Sequence, residues 1–212
     1  MREYLGDLPL IAILRGVTPE EVVSIGRVLV QAGFPIVEIP LNSPRPFESI
    51  RRLADELGAT TLVGAGTVMS VEDVQRVADA GGRLVVMPHS DPVVVRAAKA
   101  LGLVCCPGIV TPTEGFAALA NGADGLKLFP AELVSPAVVR AMRSVFPADT
   151  LMFPVGGMTP DNMGAYIKAG ASGFGLGSAL YARGDDAAAV ATKAESFVSS
   201  WRRLSIPEQK QQ

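Results

Sequence analysis

Leu10-Ile11-Ala12-Ile13-Leu14-Arg15-Gly16-Val17-Thr18-Pro19-Glu20-Glu21, running on through a helically spaced stretch to Gln31-Ala32-Gly33, contains one whole unit of the fold. The unit opens with an apolar, β-branched run, the signature of a strand. A polar turn follows. Thr18 then offers a helix cap, with Pro19 at the first helical position and two early acids behind it. Gly33 supplies the left-handed residue that closes a helix. The same unit recurs along the chain. Further apolar runs lie at Ile36 to Leu41, Thr61 to Ala65, Leu84 to Met87, Leu103 to Cys106, Gly125 to Phe129, Leu151 to Val155 and Gly173 to Leu176. Their spacing of roughly 19 to 27 residues fits a strand, a helix and two short loops. Helix starts are marked at Ser70, Asp91, Ser135 and Thr159-Pro160, and helix stops at Gly58, Gly81-Gly82, Gly102, Gly122 and Gly170. The runs are continuously apolar rather than alternating, as parallel strands buried on both faces are.

Eight such units predict an α/β chain folded as a (β/α)8 TIM barrel in a single domain. The alternative is a doubly wound sheet, but no Gly-x-Gly-x-x-Gly follows the first run. The barrel domain is expected over residues 1–203, with residues 204–212 a polar, flexible tail.

Hydrophobic residues make up 49% of the chain and charged residues 19%, which excludes a disordered protein. The net charge is −2 and the densest basic runs are dipeptides, so nucleic acid is not an expected partner. No apolar stretch approaches the ~20 residues of a membrane span. Met1-Arg2-Glu3-Tyr4 does not begin a signal peptide, and the expected location is cytoplasmic. Cys105 and Cys106 read as buried small hydrophobes of a strand. With one histidine in the chain, no metal site and no cofactor are expected.

Chemistry in a barrel of this kind belongs at the carboxyl ends of the strands. Lys127 lies between Leu126 and Leu128-Phe129 in the sixth run. Burial lowers the pKa of a lysine, and a neutral amine is what attack on a ketone requires. The competing reading is a lysine that reaches solvent or pairs with an acid. Glu38 sits inside Val37-Glu38-Ile39, where a carboxylate must be paired or functional. It reads as a general acid/base, or as the buried partner of Lys127. Arg15 ends the first run, where a guanidinium suits a carboxylate group or a nearby strand acid. Gly156-Gly157 and Gly177-Ser178 follow the last two runs, where barrels of this type bind phosphate with backbone N–H groups. Thr67, Pro88 and Phe129 stand at the same end of the third, fourth and sixth runs. His89 reads equally as a functional group or as a loop histidine.

Together, Ile11-Ala12-Ile13-Leu14-Arg15-Gly16, Val37-Glu38-Ile39-Pro40-Leu41-Asn42-Ser43-Pro44, Gly64-Ala65-Gly66-Thr67-Val68, Cys106-Pro107-Gly108, Leu126-Lys127-Leu128-Phe129-Pro130-Ala131 and Val155-Gly156-Gly157 resemble the KDPG/KDPGal aldolase family, from about Leu8 to about Trp201. The resemblance implies a metal-independent class I pyruvate aldolase, a homotrimer. Lys127 would be its Schiff-base lysine and Glu38 its acid/base. Arg15, Thr67, Pro88 and Phe129 would contact substrate, and Gly156, Gly157, Gly177 and Ser178 would hold its phosphate. Pro40 and Asn42 match the phosphogalactonate branch; the phosphogluconate branch typically carries Thr and Arg there. The implied substrate is 2-dehydro-3-deoxy-6-phosphogalactonate, a phosphorylated keto-deoxy sugar acid, and the products are pyruvate and D-glyceraldehyde 3-phosphate. The alternatives are the C4-epimeric phosphogluconate substrate and a non-catalytic phosphosugar-binding barrel.

Overall fold

The computed structural model describes residues 1–205 of the 212-residue chain. Strands and helices alternate along it. The order is α1 (Arg2–Leu5), β1 (Leu10–Ile13), α2 (Val22–Ala32), β2 (Ile36–Pro40), α3 (Pro46–Leu57), β3 (Leu62–Gly66), α4 (Val71–Asp79), β4 (Leu84–Val86), α5 (Pro92–Ala100) and β5 (Val104–Cys106). It continues with β6 (Gly108–Ile109), α6 (Pro112–Ala120), β7 (Leu126–Leu128), α7 (Pro136–Val145), β8 (Met152–Pro154), α8 (Met163–Ala169), β9 (Phe174–Leu176) and α9 (Ala187–Ser205). Each expected apolar run forms a strand, and the fifth, Leu103 to Cys106, is followed by a further short strand that no run covered. Pro107 has no N–H to give to a ladder, so β5 ends before it and β6 begins after it.

All pairings are parallel. One sheet has the order β5-β4-β3-β2-β1-β9, and a second has β6-β7-β8. The steady order, with the last strand beside the first, excludes the doubly wound alternative, whose strand order reverses at a switch point. The sheets curl toward each other at both junctions. A bridge joins Val155 to Gly175, and the Lys127 N–H donates to the Pro107 carbonyl at 2.9 Å.

Residues on each strand alternate between two apolar cores, as the period of two in a pleated strand requires. Leu10, Ala12, Leu126 and Leu128 face the helices in the larger core. Ile11, Ile36, Leu62, Leu84, Cys106, Leu151 and Phe153 face the inner side of the curl, where Met1 and Leu5 pack onto them. The same alternation puts Glu38, two residues after Ile36, and Lys127, between Leu126 and Leu128, on the inner face.

Several helix signals act as expected. Ser70 accepts from Asp73 N–H and Asp91 from Val93 N–H. Gly33 and Gly170 close their helices with φ of 101° and 99°. Others differ. Thr18-Pro19 opens a turn, and α2 begins only at Val22. Gly58 ends α3 with right-handed φ of −62°. The stretch after Gly177 is one turn, closed by Leu180 and Tyr181 N–H groups on the Gly177 carbonyl, rather than a helix. Of the expected tail, Leu204 and Ser205 belong to α9, with Leu204 packed on the core; the remaining positions lie outside the described residues. No helix among the described residues is long and apolar enough to cross a membrane.

Candidate active site

At the carboxyl ends of β1, β7, β8 and β9 lies a cavity of about 590 Å³. Of the expected site residues, Arg15, Lys127, Phe129, Gly156, Gly157, Gly177 and Ser178 line it. Lys127 is only 4% exposed. Its Nζ stands over the Phe129 ring, 4.4 Å from the centroid. Burial lowers its pKa, against the pull of Glu38 and Cys106, and the positive Arg15 lowers it further.

Glu38 stands across the inner face on β2 and is 1% exposed. Burial raises its pKa to about 7, although Lys127, Arg15 and the Gly66 N–H all act the other way. Among the described residues its Oε2 has no hydrogen-bond partner. An orphaned buried oxygen is destabilising in a finished core; in a reaction site it is an acceptor left open. Gly66, paired with Pro40 in the register of β2 with β3, is there for a steric reason. A Cβ on Gly66 would fall on the Glu38 carboxylate.

Arg15 makes no salt bridge among the described residues. Its Nη1 donates to Asn42 Oδ1 at 2.6 Å, its charge also acts on Glu38 without a direct contact, and its other donors remain available. Next to it the Gly16 N–H donates to Ser43 Oγ at 2.9 Å. The loop after β2 thus clamps the loop after β1.

Three expected residues are not among those lining the cavity: Glu38, buried on the inner face of β2, Thr67 and Pro88. Thr67 lines a neighbouring cleft of about 640 Å³ with Asn42, Arg45 and Arg76. Its φ of 57° is left-handed, a strained state for a β-branched residue and one that gathers at functional sites. Pro88 is half-buried beyond β4 and borders neither space; its carbonyl approaches Gly108, where a Cβ would come within 2.7 Å. His89 is exposed, and its carbonyl accepts from the Gly108 N–H. Cys105 and Cys106 are buried and free, and burial pushes both thiols up, Cys105 to about 12. Among the described residues, no three His, Cys, Asp or Glu side chains gather as metal ligands.

The cavity also holds residues that the sequence did not single out. Tyr181 and Arg183 line it from the loop after β9. Glu132, after β7, lies behind the glycine turn: its Oε2 would stand 2.7 Å from a Cβ on Gly156. Gly156 and Gly157 both have positive φ, 110° and 61°, so the turn needs glycine twice over.

A parallel α/β chain with a buried lysine, a buried carboxylate and a cavity at its strand ends has the build of an enzyme for a small molecule. The model of the family described as "Aldolase: KDPG and KHG aldolase" matches residues 1–192, and the chain belongs to that family of lyases. Its relatives include the "2-dehydro-3-deoxy-6-phosphogalactonate aldolase" of Escherichia coli (strain K12), 45% identical over 94% of this chain and 98% of that one. A protein of Rhizobium meliloti (strain 1021), named "Probable 2-dehydro-3-deoxy-6-phosphogalactonate aldolase", is 46% identical over 92% of both chains. The solved structure titled "Native KDPGal structure" superposes with a TM-score of 0.91 at 44% identity, covering 93% of this chain and 96% of that one.

Proposed function

We propose that this aldolase cleaves 2-dehydro-3-deoxy-6-phosphogalactonate to pyruvate and D-glyceraldehyde 3-phosphate through a Schiff base on Lys127. The observation that carries this reading is the pairing of two buried groups of opposite type on one inner face, Lys127 with its pKa lowered and Glu38 with its pKa raised to about 7. Burial favours the neutral form of each: it shifts Lys127 toward the amine that attacks a carbonyl, and it leaves a carboxyl group poised to give or take a proton near neutral pH.

The steps follow from those two groups. The Lys127 amine adds to the C2 carbonyl, and loss of water leaves an iminium. Glu38, as carboxylate, takes the proton from the C4 hydroxyl. The C3–C4 bond breaks, its electron pair flows into the iminium, and the aldehyde leaves. The resulting enamine takes a proton at C3. Water then hydrolyses the iminium, freeing pyruvate and Lys127. Arg15 faces the carboxylate end and Phe129 completes the wall beside Lys127, while Thr67 stands in the neighbouring cleft and Pro88 outside both. The Gly156-Gly157 and Gly177-Ser178 turns receive the phosphate. The phosphogalactonate epimer is favoured over the phosphogluconate one because Pro40 and Asn42 stand after Glu38, and because the relatives at 45% and 46% identity carry that name.

Two further parts belong to this reading. The two sheets close into one (β/α)8 barrel, supported by the hydrogen bonds at both junctions. The molecule is a homotrimer, supported by the large apolar residues left exposed on the carboxyl side of the strands, among them Met69 and Leu133 at 58% and 66%.

The test is borohydride reduction in the presence of pyruvate, followed by peptide mass spectrometry. A single adduct on Lys127, and loss of both adduct and turnover in Lys127→Ala, are expected. An adduct on another lysine, or none, would falsify the assignment.

A further inference from the structure

The turns at the cavity offer a phosphate only uncharged donors, backbone N–H groups and the Ser178 hydroxyl, and the charged side chain behind one of them is an acid, Glu132. A phosphate dianion placed there needs a cation. Three cations line the cavity: Arg15, Lys127 and Arg183. Lys127 is buried on its strand, and Arg15, held by Asn42, is the group the aldolase reading sets against the substrate carboxylate. Arg183 is the third. Among the described residues its guanidinium has no hydrogen-bond or ion-pair partner.

Its loop is built to hold it in place. The stem of Arg183 lies across Gly16, with its Cβ 3.6 Å and its Cδ 3.8 Å from where a Gly16 Cβ would stand. Behind it, the Ala182 N–H donates to Asp185 Oδ2 at 2.7 Å, and that carboxylate pairs with Lys193 at 2.5 Å. Before it, the Tyr181 hydroxyl donates to Glu21 Oε1 at 2.9 Å. A free guanidinium on a tethered loop, on the wall shared with Gly177 and Ser178, has the geometry of an anion ligand.

We propose that Arg183 binds the phosphate group of the substrate and makes the enzyme prefer phosphorylated over unphosphorylated aldehydes. The proposal rests on the aldolase reading for its substrate. It also explains why the phosphate turns tolerate Glu132 at their back: the acid rejects an anion that does not reach Arg183, and the arginine outweighs it for one that does.

The test compares aldol addition of pyruvate to D-glyceraldehyde 3-phosphate and to D-glyceraldehyde. Arg183→Ala should lower kcat/KM for the phosphorylated aldehyde by about 10- to 100-fold, as expected for a charged hydrogen bond to phosphate. The value for glyceraldehyde should stay within about twofold, since surface charge alone contributes little. Arg183→Lys should recover part of the loss. A parallel fall for both aldehydes, or no fall for either, overturns the proposal. Borohydride trapping of pyruvate on Lys127 in Arg183→Ala should match the parent, which separates lost phosphate recognition from a damaged site. If the parent itself fails to trap pyruvate, the Schiff-base reading falls, and Arg183 is judged by inorganic phosphate alone. A phosphate-induced rise in Tm that is present in the parent and absent in Arg183→Ala then upholds the phosphate site, and equal rises in both overturn it.

Discussion

The two ends of the strand bundle are made from the same strands and obey opposite rules. Toward the amino ends, the inner face holds Leu62, Leu84, Leu151 and Phe153, closed off by Met1 and Leu5. It is apolar, and its small spaces are filled: a Cβ on Gly125 would lie 3.3 Å from Met1 Sδ. Toward the carboxyl ends, the same face carries a lysine, a carboxylate with an orphaned oxygen, and a cavity. One end stabilises the fold by burying apolar area. The other holds ionisable groups out of water, which is destabilising unless chemistry needs it. The contrast teaches that the buried charges are carried by a scaffold whose stability is built elsewhere, so activity and stability should respond to different residues.

The largest effect expected from breaking this division is at Glu38. Glu38→Gln keeps the shape and removes the titrating proton. Turnover should fall by about 10²- to 10⁴-fold, the range for loss of a general acid/base. Stability should move the other way. The folded chain keeps a proton on Glu38 that the unfolded chain releases from its ordinary value of 4.5, while the folded value is about 7. The folded state therefore binds more protons in that window, and parent stability falls as pH rises from 4.5 to 7. Lys127, with its value lowered from 10.5, has the opposite sign and adds stability as pH climbs toward 10.5. Urea unfolding should find Glu38→Gln roughly 1–3 kcal/mol more stable than the parent at pH 8, with little difference near pH 4.5. Equal pH slopes in the two proteins would show that Glu38 is not held above its ordinary range.

The complementary change sharpens the comparison from the other end. Leu62, fully buried at the start of β3, should cost about 2–5 kcal/mol as Leu62→Ala, through lost burial and a residual cavity. The folded variant, assayed well below its Tm, should retain kcat and the borohydride adduct. A loss of kcat comparable to that of Glu38→Gln would mean that the two ends are not independent.

How much of this could be read in the sequence follows the same physics. Eight strand positions were legible because each run is apolar on both faces, and each run holds a strand within a residue or two; β6, the two residues after Pro107, had no run of its own. Lys127 and Glu38 were legible because a charge inside such a run breaks the pattern. The helix α1 was not, since four residues without a cap make no periodic signal and are placed by the packing of Met1 and Leu5. Gly66 carried a meaning that only the register with β2 reveals. Arg183 and Tyr181 lie in a loop, where polar residues are ordinary, and only the return of β9 to the side of β1 brings that loop to the cavity. The Thr67 strain and the position of Pro88 outside the cavity are properties of backbone geometry that residue type does not encode.

The smallest expected effect tests a contact of this last kind. Asn42 and Arg15 are 27 residues apart, and no local pattern links them. Both are exposed, so their bond should contribute little to stability, within about 0.5 kcal/mol. Its consequence is positional: Asn42 Oδ1 takes one Nη1 proton and fixes the plane of the guanidinium that faces the cavity. Asn42→Ala should therefore leave Tm and kcat nearly unchanged and raise KM about 3- to 10-fold, the loss of one modest hydrogen bond. Asn42→Asp keeps an acceptor at the same place and should restore KM. A rise in KM that Asn42→Asp fails to reverse would make Asn42 a direct contact of the substrate rather than the residue that aims Arg15. The chemistry would then reach into the cleft beside Thr67, and the boundary between the working end and the rest of the molecule would lie one loop further out.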